Sequence, residues 1–277
     1  MNLTNHFLEQ LSQQPVNLSQ AEITWNKRAA EVNKFTLDTQ DPSLEFLNQH
    51  LSLKNKQVLE ISFGAGRHVL EFAKQGAEVS GVEIAAKMLE FTQTKLAEAG
   101  LSQQVKQLKQ QAWEEVNLAA AGWQEAFDLV FMYQSPAISS PAMLEKCLAA
   151  SRKWLYFALY SHREDSLLTQ LQKEFGLEVK AVGSRGAHKF YYLFNLLYQQ
   201  GYFPNIHFEQ RASLSEFEPE YILERYASWL WQGDELTEDK RQALLTRLKE
   251  LANHQGKLVT NSRNLIGHLL VNKQLLR

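Results

Sequence analysis

Residues 57–66 read Gln-Val-Leu-Glu-Ile-Ser-Phe-Gly-Ala-Gly, and seventeen residues beyond Gly66 stands Glu83, within Gly81-Val82-Glu83-Ile84. Val58, Leu59 and Ile61 form a short apolar run with β-branched members, the pattern of a buried strand. The glycines follow at once. After them Val69, Phe72 and Ala73 recur at helical spacing until Gly76 stops the run. Strand, glycine turn and helix make half of a nucleotide-binding unit. Such a turn takes glycine because a ligand must lie against bare backbone, at the positive end of the following helix. A second strand over 77–82 leads into Glu83, and a carboxylate at that distance accepts hydrogen bonds from ribose hydroxyls.

The nucleotide is narrowed by one missing glycine. A dinucleotide fingerprint has glycine at its first, third and sixth positions, but Gly64-Ala65-Gly66-Arg67-His68-Val69 ends in valine. The third glycine packs helix against strand beside a pyrophosphate, so valine argues against NAD or FAD. The spacing Glu60-x-Ser62-x-Gly64-x-Gly66 instead resembles the first motif of class I S-adenosylmethionine (SAM) methyltransferases. Val82-Glu83-Ile84-Ala85-Ala86-Lys87-Met88-Leu89 resembles their second motif. The resemblance implies that Glu60, Ser62, Phe63, Gly64, Ala65 and Gly66 line the methionine side of the cofactor. It also implies that Glu83 holds the ribose, with Ile84 and Met88 near the adenine. Ser62 departs from the family, which has glycine there; serine fits the turn but restricts φ more.

The same resemblance extends to three further stretches. After the third strand, Gln111 stands where the family often has an acid that reads the adenine amino group. A glutamine carbonyl accepts the same hydrogen bond, with Ala112 beside it and Trp113 placed to cover the purine. Phe127-Asp128-Leu129-Val130 resembles the start of the fourth motif, which puts Tyr133 and Gln134 beside the reacting methyl and leaves Asp128 structural. Ser135-Pro136-Ala137 lacks the Asn/Asp-Pro-Pro-aromatic run of enzymes that methylate bases or protein glutamine. Trp25-Asn26-Lys27-Arg28-Ala29 resembles a short motif ahead of the cofactor domain in some bacterial methyltransferases, so Trp25 and Arg28 are candidate lid residues. Downstream, His162 is a candidate general base by its near-neutral titration. His188 and Tyr192 are candidate substrate contacts.

Several function classes drop out on composition. The chain has 277 residues, 44% of them hydrophobic, and a formal charge of −2 from 29 basic and 31 acidic side chains. Their interspersion lacks the basic footprint of a nucleic-acid binder, and no apolar run approaches the roughly 18–20 residues of a membrane span. A lone cysteine, Cys147, excludes an internal disulfide and a cysteine-based metal cluster. Its place on an apolar helical stripe predicts a buried thiol. The eight histidines show no i, i+4 pair, so no metal site is expected. With no basic-then-apolar leader, the expectation is a cytoplasmic protein.

Strands are expected at 57–62, 77–83, 104–108, 127–132 and 154–160, with helices at 67–75, 86–99 and 141–150 between them. Such alternation implies a parallel sheet covered on both faces. Further helices are expected at 164–175, 189–200, 219–231 and 238–253, and strands at 206–211 and 265–272. Residues 1–55 read as amphipathic helices, one capped by Ser19 and one by Asp41. The fold expected is therefore α/β: a mostly parallel sheet, seven-stranded by the family resemblance, flanked by helices. Residues 1–55 and a helical insertion at about 215–256 are expected to form a cap on the domain 56–277.

The expected activity is transfer of a methyl group from SAM to a small-molecule acceptor by in-line displacement, leaving S-adenosylhomocysteine (SAH). Three rivals remain: a non-catalytic SAM or SAH binder, an NAD-dependent oxidoreductase, and an aminopropyl transferase. The last lacks an acidic cluster near Tyr133 to hold a polyamine.

Overall fold

The computed structural model describes Glu9 and residues 17–34, 41–179, 184–231 and 236–275. Its sheet includes β1 (Gln57–Ile61), buried from Val58 onward. β1 pairs in parallel with β2 (Glu78–Glu83) on one side and β4 (Phe127–Tyr133) on the other. β3 (Val105–Gln110) adds in parallel to β2, and β5 (Ser151–Asp165) in parallel to β4. β6 (Asn205–Phe217) and β7 (Leu258–Asn272) complete a seven-stranded sheet of order β3-β2-β1-β4-β5-β7-β6. Strand order reverses between β1 and β4. In an open α/β sheet the carboxyl ends of such a pair flank the ligand crevice.

The helices that position this crevice form for local reasons. α1 (Leu18–Val32) is capped by Asn17, whose side chain accepts from the Gln20 N–H. That corrects the expected Ser19 cap by two residues. α2 (Pro42–Asn48) starts on proline behind an Asp41 cap and buries Leu44, Phe46 and Leu47. α3 (Arg67–Lys74) follows the glycine turn and buries His68, Val69, Phe72 and Ala73 on one face. Phe72 meets Phe131 of β4 edge-to-face at 4.9 Å. A buried phenylalanine of this kind contributes about 1.5–3 kcal/mol. α4 (Ala86–Glu98) opens after β2, α5 (Leu118–Ala121) is one turn long, and α6 (Pro141–Ala150) buries Cys147. Burial pushes the Cys147 thiol upward, so it is a packing residue.

Three strands run further than their apolar patterns suggest. β5 continues through Ser161-His162-Arg163-Glu164, and β6 and β7 likewise take in polar stretches that sequence reading leaves as loops. Their polar ends hold too few apolar residues for a sequence alternation to show, although β7 buries alternate residues from Leu258 to Thr260. α7 (Ser166–Glu174) consequently starts two residues later than expected, capped by Asp165. α8 spans Ser184–Gln199, α9 Pro219–Leu230 and α10 Glu238–Leu251.

The chain divides into two compact units. The first takes Met1–Leu159, Tyr191–His207 and Gly267–Arg277; the second takes Tyr160–Phe190 and Phe208–Ile266. The second has its own core, in which Leu168, Leu171, Ile222, Tyr226, Leu244 and Leu248 are buried together.

Candidate functional site

In the first unit the chain leaves β1 through a tight turn with three left-handed residues: Ser62 (φ 56°), Gly64 (56°) and Gly66 (74°). Ser62 holds this conformation against its Cβ because its N–H donates to the Val82 carbonyl at 2.8 Å. The two glycines serve different ends. A Cβ on Gly66 would lie 2.4 Å from Thr92 Cγ2, so close packing on α4 requires glycine. Among the described residues, a Cβ on Gly64 would meet only Val32 Cγ1, at 4.0 Å. Gly64 is therefore set by backbone shape and leaves open space beside the turn.

Two α4 side chains fix the loop's carbonyls, and neither was legible in sequence. Thr92 Oγ1 shares its one proton between the Gly64 carbonyl at 3.1 Å and the Met88 carbonyl at 2.9 Å, and Lys95 Nζ donates to the Ala65 carbonyl at 3.0 Å. Both sit on an otherwise ordinary helix pattern. Gly81 of β2 has its own reason: a Cβ there would lie 2.7 Å from the Phe63 ring, so Phe63 packs directly under the second strand.

Two buried carboxyls face this turn. Glu83, 5% exposed, bridges the two loops: Oε2 accepts from the Gly64 N–H at 2.9 Å and Oε1 from the Ala85 N–H at 3.0 Å. Burial raises its carboxyl above the usual range, opposed by the N–H groups of Ala85, Gly64 and Ile84. Two backbone donors leave lone pairs on both oxygens. Glu60, 3% exposed, is more extreme. Burial holds it well above the ordinary carboxylate range; Arg67 and the Val69 N–H oppose this, and Glu83 adds to it. Its Oε2 is buried without a hydrogen-bond partner.

β4 ends beside them. Tyr133 is 8% exposed, with the Arg67 guanidinium 4.6 Å over its ring and the His68 ring 4.7 Å away. Gln134 takes φ 50°, its N–H donating to the Ala158 carbonyl at 2.7 Å. Adjacent strands β1 and β4 thus both end in a strained non-glycine residue, a kind of strain that clusters at functional sites.

α1 lies against the same loops. Trp25, Ala29 and Val32 pack with Ala65, Ala85 and Met88, and Arg28 stacks on Trp25 at 4.8 Å. Asn26 Oδ1 accepts from the Lys87 N–H at 3.0 Å, capping α4 from outside because Ala85 at the cap position has no side chain for the task.

Glu60, Ser62, Phe63, Gly64, Ala65, Gly66, Glu83, Ile84, Met88, Tyr133 and Gln134 therefore lie around two loops and one strand end of the first unit. Gln111 also joins them, its N–H donating to the Glu83 carbonyl at 2.9 Å, with its side-chain amide turned to the Glu115 carbonyl. Ala112 is buried next to it. Trp113 is 2% exposed and packs towards α6, with Lys146 Nζ 5.4 Å over its ring and the Cys147 thiol against its indole. His162 belongs to the second unit, exposed and paired with Glu164 at 3.0 Å. Tyr192 lies on α8 beside Tyr191, and the side chain of His188 falls outside the described residues.

Comparison with known proteins agrees with this geometry. Residues 58–156 match the family model of a methyltransferase domain. A 58-residue stretch is 34% identical to a ubiquinone biosynthesis O-methyltransferase of Chromobacterium violaceum, covering 21% of this chain. The chain spans only a quarter of that relative's length. A putative methyltransferase from Bacillus halodurans superposes with a TM-score of 0.51 at 18% identity, over 84% of this chain and 99% of that one. This shows a shared fold. A SAM-dependent methyltransferase of Thiobacillus denitrificans, in complex with SAH, covers 92% of this chain and 98% of its own at 13% identity, with a TM-score of 0.48. Sheet order, glycine turn and the acid closing β2 agree with the match of residues 58–156 to a methyltransferase domain.

Proposed function

We propose that the protein transfers a methyl group from SAM to a small-molecule acceptor, and that the donor lies across the two loops at the carboxyl ends of β1 and β2. The observation that carries this reading is the orphaned Glu60 Oε2, buried beside a glycine turn with open space at Gly64. A buried carboxyl oxygen without a partner is costly, and the ammonium of a methionine moiety suits it. Glu83 has lone pairs left for ribose hydroxyls after serving two backbone N–H groups.

When bound, the donor supplies a methyl on a sulfonium, already an excellent leaving group. The chain's own residues then need only bind, orient and exclude water. Gly64 lets backbone approach the ligand closely. Met88, Ala85 and Ala65 give the adenine side an apolar wall, which Trp25 and Val32 of α1 extend as a cap. Tyr133, braced by Arg67 and His68, faces the acceptor side. His162 is assigned no step.

Isothermal titration with SAM and SAH tests the reading. Wild type is expected to bind both, and Glu83→Ala to lose about 1.5–3 kcal/mol of affinity, the scale of a hydrogen bond to a charged group. Gly64→Val is expected to abolish binding while the chain still melts cooperatively. Wild-type affinity in both variants would place the donor elsewhere. Methyl turnover on a metabolite panel then distinguishes an enzyme from a non-catalytic binder.

A further inference from the structure

Arg67, the first residue of α3, is a cation at the glycine turn to which the reading above gives no ligand. It is half-buried. Its guanidinium lies 4.6 Å over the ring of Tyr133, at the end of β4. Among the described residues, no acceptor stands within hydrogen-bond distance of its N–H fork and no carboxylate within ion-pair distance. Lys95, a second cation beside the turn, differs: its Nζ is spent on the Ala65 carbonyl at 3.0 Å. Contact with a ring face draws on the guanidinium's charge and leaves its N–H groups to bind elsewhere. Arg67 therefore brings to the strand ends a planar set of donors that the fold itself does not use.

Charge narrows what those donors can take. The Arg67 charge is felt at Glu60, where it opposes the effect of burial. Glu60 is, however, the group given above to the donor's ammonium, and Glu83 already accepts from the Gly64 and Ala85 N–H groups. Neither carboxyl is then left to neutralise Arg67. With a sulfonium bound near Tyr133, a guanidinium over the same ring is repelled across a half-buried crevice, where screening is weak. An anion on Arg67 offsets that repulsion. A carboxylate or a phosphate ester fits best, because its oxygens match the fork two at a time.

Resting on the donor site proposed above, we propose that the methyl acceptor is a small molecule carrying an oxyanion, a carboxylate or a phosphate ester, and that Arg67 selects it by a bidentate pair. The stack on Tyr133 keeps the guanidinium at the carboxyl end of β4, so the anion anchors the acceptor while a separate atom of it meets the methyl. Arg67 is on this account a specificity-determining residue that takes no proton and joins no bond. A neutral analogue of the same shape leaves the fork unmatched, and that loss supplies the discrimination.

The donor has a carboxylate of its own, so the test separates the two sources. SAH and its decarboxylated analogue, which keeps the ammonium, are titrated calorimetrically into wild type and Arg67→Gln. Both ligands are expected to weaken by the same factor, because the Glu60 carboxylate loses a favourable neighbouring charge. A larger loss for SAH would give Arg67 to the donor's carboxylate and overturn the proposal. Benzoate, phenyl phosphate and neutral benzamide are then titrated into the SAH-saturated protein. Wild type is expected to hold one of the two anions at least about tenfold tighter than benzamide, the scale of a hydrogen bond to a charged group. Arg67→Gln is expected to lose that preference. Arg67→Lys keeps the charge without the fork, so its preference should fall at least about threefold. It carries the test if Arg67→Gln does not melt cooperatively. No preference for either anion in wild type, or an undiminished preference in the variants, would overturn the assignment. Absence of SAH binding by wild type overturns the donor site itself, an outcome distinct from SAH binding without anion preference.

Discussion

Burial of Glu60 makes the stability of the fold depend on pH. Its raised carboxyl in the folded state stabilises the fold fully below the ordinary carboxylate pKa. That contribution is lost as pH rises through the folded value, because the unfolded chain then ionises more easily. Glu60→Gln is thus expected to flatten this loss and raise the neutral-pH melting temperature while weakening SAH binding. Melts recorded against pH check it; a variant as pH-sensitive as wild type would refute the assignment. The two glycines make a second residue-scale test. Gly64→Ala should cost about 1–2 kcal/mol from left-handed strain alone. Gly66→Ala should cost more, since Thr92 must also move, and denaturant melts will rank them. Glu60, Gly64, Gly66 and Glu83 were legible because one strand-turn-helix-strand unit holds them close in sequence. His68 was not: its partner Ser43 is 25 positions away, and nothing local marks a buried histidine as polar-bonded.

Among elements, α1 is tied to its neighbours by an outside cap from Asn26 and by Glu22 Oε1, which accepts from Gln110 Nε2 at 3.1 Å. Asn26 serves the Lys87 N–H, which α4's own cap position leaves without a side chain. Asn26→Ala is expected to cost about 1 kcal/mol, the scale of a lost cap. It should also speed amide exchange across Leu18–Val32 more than across β1. Unchanged exchange in α1 would mean that the Glu22–Gln110 bond and the apolar contacts of Trp25 and Ala29 suffice to hold it. Element types read well wherever one face is buried, as in β1, α3 and α10. They read poorly at the polar ends of β5, β6 and β7, where few apolar residues mark which side chains face inward. The glycine-turn residues therefore had a sequence signature, while the cap from α1 and the carbonyl anchors Thr92 and Lys95 had none.

Across the whole molecule, the residues proposed to hold the donor fall in one unit, and a separate polar knot holds the other. Asp165, 5% exposed, caps α7 by accepting from Leu167 and Leu168 N–H at 3.1 Å each. It also accepts from Thr260 Oγ1 at 2.6 Å and from the Tyr226 hydroxyl. Asp165→Ala, which leaves several buried donors unmet, is expected to cost about 2–4 kcal/mol. SAH, in turn, is expected to slow amide exchange at 62–66 and 83–88 while leaving 219–251 unaffected. The reverse pattern would relocate the ligand to the second unit.

Sheet order also bears on how the chain matures. β7 separates β5 from β6 in space, yet follows β6 by the 40 residues of 218–257. During synthesis on a ribosome, β6 therefore emerges before the neighbour it needs, and must wait with both edges unsatisfied until residues 258–272 clear the exit tunnel. A nascent polypeptide stalled within that interval would expose a ready template for wrong pairing, and is where a chaperone would be expected to engage.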